Sequence, residues 1–201
     1  MKTETRQYLQ RARAQAAEDT GRRIEEAFLS RFMTQWFDEI TLDHVAADAG
    51  VTVQTVVRRF GGKEGLLSVA VKRMAEQILA QRAAPPGDMD LLVENLVGDY
   101  ERTGDAVIRL LALEGRHPGL KTVLELGRRE HRQWAGRAFA GELNRIGGAE
   151  RERALDALVI VTDAYTWKLL RRDMGRSVRG TEMAMKRLVE GVLERMKDET
   201  D

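Results

Sequence analysis

Gln54 and Arg58 stand four residues apart, about one helical turn, with Thr52, Thr55 and Arg59 beside them and no acidic residue from Thr52 to Lys63. A primary amide presents a donor and an acceptor together, the pattern of an adenine edge. A guanidinium forks onto the two acceptors of guanine, and the methyls of Val53 or Val57 match a thymine methyl. Hydroxyls and cations at Thr41, Thr52, Thr55, Arg59 and Lys63 suit phosphate oxygens, which fix register without carrying sequence information. The chemistry these residue types offer is the reading of a duplex. Base contacts fall to Val53, Gln54, Val57 and Arg58, and backbone contacts to the rest. Arg22 and Arg23, with Lys2, Arg6, Arg11 and Arg13 nearer the N-terminus, can add contacts to the backbone or minor groove.

Other chemistries lack their parts. His44, His117 and His131 have no second ligand at metal-binding spacing, so they read as solvated surface residues and no metal or cofactor is expected. Ser30, Ser68 and Ser177 lie outside any Gly-x-Ser-x-Gly setting. "GGKEG" at 61–65 has glutamate after the lysine, and the first glycine of a phosphate loop would fall on Val57. Adjacent acids such as Glu25 and Glu26 diverge by about 100° on a helix. No constellation for catalysis exists, so the chain reads as a non-enzyme.

The absence of cysteine removes disulfides, thiolate metal sites and thiol nucleophiles together, and suits a reducing cytosol. No apolar leader and no run of 18 apolar residues is seen, so no membrane span is expected and the chain is placed in the cytoplasm. A net charge of +1 argues against coating nucleic acid by bulk charge. Residues 1–82 carry 13 Lys/Arg against 11 Asp/Glu, and residues 83–201 carry 20 against 21, so the useful positive charge is local to the stretch around Arg58.

The elements that must position these side chains follow from 3.6-residue periodicity, with no alternating run of strand length. The fold expected is all-α. Ile24, Phe28, Phe32 and Trp36 predict one buried stripe over about Thr20 to Trp36. Thr41 caps a second helix to Ala49, Gly50 breaks it, and a third runs from about Thr52 to Phe60. On a helical wheel Val53, Val56, Val57 and Phe60 fall to one side and Thr52, Gln54, Thr55, Arg58 and Arg59 to the other. Small Ala46, Ala49 and Gly50 allow a close crossing of the two helices, a helix-turn-helix. A fourth helix covers about Lys63 to Arg82, buried along Leu67, Ala70, Val71, Met74 and Ile78. "AAPPGDMD" at 83–90 interrupts the chain and reads as the junction between an N-terminal module and a larger C-terminal one, with Asp88 able to cap the next helix. Further helices are expected near 89–103, 105–116, 119–146, 150–172 and 181–197. "ALDALVIVTDAYTWKLL" is apolar on more than one face, and Met185, Leu188, Val192 and Met196 stripe the last helix, so a partner subunit is expected to cover both.

The stretch "FDEITLDHVAADAGVTVQTVVRRFGGKEGLL" resembles the TetR (tetracycline repressor-like) family of bacterial transcriptional regulators over about residues 20–70. The likeness lies in the threonine-led second helix, the Ala-Gly-Val turn, Thr55, Phe60 and the Lys-Glu-x-Leu opening at Lys63, Glu64 and Leu66. It implies phosphate contacts at Thr41, Thr55, Arg59 and Lys63 and base contacts at Val53, Gln54 and Arg58. Gln54 stands where many members have glycine, and Val57 where many have an aromatic residue. The resemblance also implies a homodimer through the last two long helices and a small-molecule effector enclosed by the central ones. Tyr100, Leu113, Trp134, Tyr165 and Trp167 are the candidates for that pocket.

The expected architecture is thus an N-terminal tail, 1–19, a three-helix DNA-binding module, 20–66, and a larger C-terminal regulatory and dimerisation domain, 67–201. The expected function is a ligand-responsive repressor on a palindromic operator. Two other readings stay open: an architectural binder indifferent to sequence, and a helical carrier or enzyme in which the helix pair is only a solvated surface.

Overall fold

The computed structural model describes residues 2–85 and 87–198, and among these it is helical with no strand. The chain divides into two compact units, Met1–Arg73 and Met74–Asp201. The boundary falls inside a helix and past the expected position, while "AAPPGDMD" separates two helices without separating the units.

In the first unit α1 spans Lys2–Phe32. It starts well before the expected Thr20 because nothing in the Ala-, Arg- and Gln-rich segment before Gly21 breaks a helix. It also stops earlier, since the chain turns at Thr34 and Gln35, whose amides return to the Arg31 carbonyl. Trp36 therefore leaves the stripe and is 41% exposed, a correction to its expected burial. Phe37, in a short 3-10 turn over Phe37–Glu39, fills the core instead. Ile24 and Phe28 are fully buried, and the Phe28 and Phe32 rings stack at 6.1 Å.

Helix α2, Leu42–Ala49, packs against α1 and against α3, Val53–Phe60. Buried Ala46 and Ala49 keep the crossing close. Gly50 ends α2 at φ 64, a left-handed conformation that costs glycine nothing, and the Val51 amide closes back on the Ala46 carbonyl at 2.9 Å. A bidentate pair from Arg31 to Asp48 ties α1 to α2. Helix α4, Lys63–Gln81, buries Leu66, Leu67 and Ala70 and is tied to α1 by Arg73 on Glu25.

The second unit holds α5 (Met89–Ala112), α6 (Lys121–Ala138), α7 (Ala140–Leu143), α8 (Gly148–Val161), α9 (Ala164–Lys168) and α10 (Val178–Asp198). Asp88 caps α5 as expected, accepting the Leu91 amide at 3.0 Å. The two helices expected over 89–116 are one, because Gly104 does not interrupt α5. A Cβ there would lie 2.5 Å from the Trp167 ring, so the glycine makes room for the indole inside a continuous helix. The helix expected over 119–146 breaks at Phe139, which departs from helical angles and buries its ring edge-on to Trp134. The one expected over 150–172 breaks at Thr162 and Asp163, where Asp163 caps α9 by accepting the Tyr165 amide. A π-helical turn, Leu169–Asp173, follows α9. Residues of α5, α6, α8, α9 and α10 share one core around Leu96, Trp167 and Met185.

Candidate nucleic-acid interface

Thr41 and Thr52 are built into α2 and α3 as caps. Thr41 Oγ1 accepts the His44 amide at 3.2 Å, and Thr52 Oγ1 accepts the Thr55 amide at 3.3 Å. Each cap keeps the first turn of its helix ordered and leaves that end rich in backbone donors, a favourable place for an anion. The Thr52 and Thr55 hydroxyls also bond each other at 3.0 Å.

Only Val56 of α3 is fully buried. Thr52, Gln54, Arg58 and Arg59 are exposed, and Val53, Thr55 and Phe60 are half-buried. Val57, expected on the inner arc, is 43% exposed. The eight-residue helix rests on a narrow line of contact through Val56, so Val57 turns outward next to Gln54 and Arg58. The structure thus brings Val53, Gln54, Val57 and Arg58 to one helix of the first unit. Among the described residues no hydrogen bond or ion pair holds the Gln54 or Arg58 side chain, and both are free to meet a base edge.

Arg59 and Lys63 are held differently. The Arg59 guanidinium lies against the backbone of α1 at Gly21, where a Cβ would stand 2.4 Å from its Nη2, and 5.9 Å from the centre of the Phe60 ring. Lys63 Nζ donates to the Phe37 carbonyl at 2.8 Å and the Asp38 carbonyl at 3.4 Å, over the Phe37 ring. Burial pushes this ammonium below the usual lysine range, with Glu64 and Asp38 acting in the other direction. Two of its three donors serve the fold and one remains. Arg22 and Arg23 are exposed on α1, Arg22 pairing with Asp19 at 2.9 Å. Arg11 and Arg13 are exposed on the same helix, while the Lys2 and Arg6 side chains lie outside the described residues.

The five candidates for an effector pocket are not gathered around one cavity. Tyr100, Leu113 and Trp167 are buried in packing contacts, Tyr100 and Trp167 with their rings 5.9 Å apart. Tyr165 is 56% exposed, because the break at Thr162 and Asp163 turns α9 outward there. Trp134 alone borders a groove of about 400 Å³ within the second unit, opposite Met89 and Leu92.

Beneath that groove lies a polar network with no signature in the sequence. Arg82, directly after α4, sends Nε and Nη2 to Asp99 Oδ2 at 2.9 and 2.6 Å, and both residues are buried. Its guanidinium sits 4.8 Å from the Tyr100 ring centre and 5.3 Å from that of Trp134. Arg82 Nη1 meets His131 Nδ1 at 3.4 Å, and the far ring nitrogen of His131 faces Thr162 Oγ1 and the Val159 carbonyl. Arginine can only donate, so His131 accepts at Nδ1 and carries its proton at Nε2. Tyr100 donates its hydroxyl to the Thr162 carbonyl at 2.9 Å, and burial pushes the phenol up to about 12.

His131 is therefore not the solvated residue its sequence context implies. Burial, then the charge of Arg82, lowers it to about 4 from its ordinary 6.5, against a weaker pull from Asp163. Between those values the unfolded chain binds a proton that the folded chain does not. Stability falls as the pH drops through the window, by up to about 3 kcal/mol. Paired carboxylates such as Glu101 and Asp105 are held below their usual range by Arg171 and Arg172 and act in the same direction at lower pH. Urea unfolding of His131→Gln separates the two effects, since it should flatten the dependence above about pH 4 only.

No protein-family model and no curated protein matches the chain. Solved structures do. A transcriptional regulator from Rhodococcus sp. Rha1 aligns with a TM-score of 0.67 at 16% identity, over 87% of this chain and 96% of that one. A transcriptional regulator from Pseudomonas aeruginosa PAO1 aligns at 0.68 and 18% identity, over 90% and 93%. A protein from Mesorhizobium loti MAFF303099 described as a TetR-family transcriptional regulator aligns at 0.69 and 21% identity, over 89% and 97%. Identities this low speak to the fold, and the fold shared is all-α along most of each chain.

Proposed function

We propose that this chain, with the fold of TetR-family transcriptional regulators, is a sequence-specific DNA-binding regulator that acts as a homodimer and a repressor. The observation that carries the reading is the outer face of α3, where Gln54 and Arg58 stand exposed without an internal partner and without an acid nearby. A charged side chain left unpaired on the short second helix of a helix-turn-helix is suited to a major groove. Val53 and Val57 add methyl contacts on the same helix. Thr41, Thr52, Thr55, Arg59 and the remaining donor of Lys63 meet phosphates.

Exposed apolar side chains support the dimer. Ile160, Tyr165, Leu169, Met183 and Leu188 lie between 44% and 65% exposed on α8, α9, the π-helical turn and α10. Their concentration on the last elements of the second unit suits a partner site, and a second copy supplies the cover expected from the sequence. Two α3 helices then read half-sites about 34–36 Å apart, or a multiple of that. A small-molecule effector held by the second unit releases the operator by binding the off-DNA conformation more tightly, since equal affinity for both shifts nothing. No helix among the described residues is long and apolar enough to cross a membrane.

The test is selection from a random duplex library at physiological salt, with sequencing of the duplexes that the purified protein retains. A two-fold symmetric motif is expected. Retention without a motif would point to an architectural binder, and no retention would overturn DNA binding. On the selected site Arg58→Ala should cost about 1–3 kcal/mol while changing affinity for random duplex little. Arg59→Ala should weaken both alike and lower the salt slope by about one. Lys63→Ala is the poorer probe, because it also removes the tie to Phe37 and Asp38.

A further inference from the structure

The groove above Arg82 has a charge balance that restricts what it can hold. Its apolar walls are Met89, Leu92, Trp134 and Phe139, and its volume of about 400 Å³ lies within the usual range for small-molecule sites, about 300–1,000 Å³. Arg82, at the floor, is 7% exposed and neutralised by Asp99. At the rim Arg137 and Glu142 carry opposite charges. Asp88 is committed to the first turn of α5, where it accepts the Leu91 amide. Arg82 and Arg137 are matched in the lining by Asp88 and Glu142, so its charges sum to zero, and an ion seated on the floor would meet a guanidinium already neutralised by Asp99, at a large desolvation cost.

The floor nevertheless offers donors. Of the five N–H groups of Arg82, Nε and one on Nη2 go to Asp99 and one on Nη1 goes to His131. Two N–H groups are left on the terminal nitrogens, one of them within reach of the Tyr100 oxygen, and the neutral His131 has its own proton engaged with Thr162 and Val159.

We propose that the groove binds a small uncharged molecule, mostly apolar, whose oxygen acceptor takes a hydrogen bond from Arg82. The inference rests on the ligand-responsive reading above and names its effector's chemical class. Arg82 follows α4 directly and anchors the end of that helix to Asp99 on α5, so an acceptor sharing its guanidinium acts where α4 is fastened.

Four compounds with one ring system test the class on the full chain by calorimetry: methyl naphthoate, naphthoate, naphthylmethylamine and ethylnaphthalene. The ester is expected to bind saturably and at least about tenfold more tightly than the anion, the cation or the hydrocarbon. Ala84→Trp, at a half-buried residue of the lining that packs against the core, fills the groove and should abolish ester binding, with a cooperative thermal melt showing that the variant folds. The proposal is overturned if the anion or the cation binds best, if ethylnaphthalene matches the ester, if Ala84→Trp retains ester affinity, or if no compound binds. Library selection on the same preparation keeps the two readings apart. A recovered motif without ester binding overturns the groove alone, and ester binding without a motif overturns DNA reading alone.

Discussion

Asp99→Ala is expected to lower the free energy of unfolding by about 3–5 kcal/mol, read from the midpoint and slope of urea denaturation. Asp99 is fully buried and Arg82 nearly so. Removing the carboxylate leaves a guanidinium under Tyr100 and Trp134 with no counter-ion, on a side chain that is only 7% exposed. Arginine cannot discharge by losing its proton, so the whole penalty falls on the folded state. Replacing both partners by apolar residues, Arg82→Met with Asp99→Leu, should restore most of the loss, because the pair's worth lies in not being broken. If the single variant unfolds like the wild type, the pair is wetter than its burial implies. Arg31 with Asp48 has similar geometry, but its side chains are 23% and 43% exposed, and solvent leaves it little to contribute.

Gly65→Ala is the second large effect, and its sign is opposite to what a helix position suggests. Alanine normally gains up to about 1 kcal/mol over glycine inside a helix. At Gly65 the added Cβ would stand 1.9 Å from the Phe60 carbonyl oxygen and 3.1 Å from its carbon. The obstacle is backbone at the end of α3, so no rotamer relieves it. The turn through Gly61 and Gly62 must open instead, at a cost of about 3 kcal/mol, and α3 must shift with it. Both thermal stability and affinity for the selected duplex should fall. Gly127→Ala, on α6 with nothing near the new Cβ, should instead stabilise slightly. Equal behaviour of the two variants would mean that the α3–α4 approach is looser than described.

What the sequence made legible was local. Thr41 and Asp88 cap their helices through atoms three residues away, and Gly50 turns the chain by its own conformational freedom, so type and spacing were enough. The same holds for the α3 pattern, where a stretch with basic and no acidic residues anticipated an exposed face. Features decided by distant neighbours were not legible. Gly104 reads as a break until Trp167 is set against it. His131 reads as a surface residue until Arg82, Thr162 and Val159 close around it. Arg82 itself looks like any solvated charge at a helix end, and only the burial of Asp99 reveals its role. Val57 sits at the edge of the helical wheel, where a few degrees decide between core and solvent, and the narrow contact through Val56 settled it outward. Of the residues chosen for a pocket, Trp134 borders the groove, while Tyr100, Leu113 and Trp167 are taken up in packing, since large apolar side chains fill cores before they line cavities.

Gly21 gives the Arg59 guanidinium a bed on α1 that any side chain would take away. Immobilising a long side chain on a partner costs about 0.5–1.5 kcal/mol in lost rotamers. An arginine already lying on a helix backbone has lost part of that freedom before any phosphate arrives. In the proposed reading, association then proceeds with less entropy left to surrender. The strength of grip on DNA becomes adjustable from a position that touches neither base nor phosphate. Drift at residue 21 could retune how tightly a site is held while leaving unchanged which site is chosen.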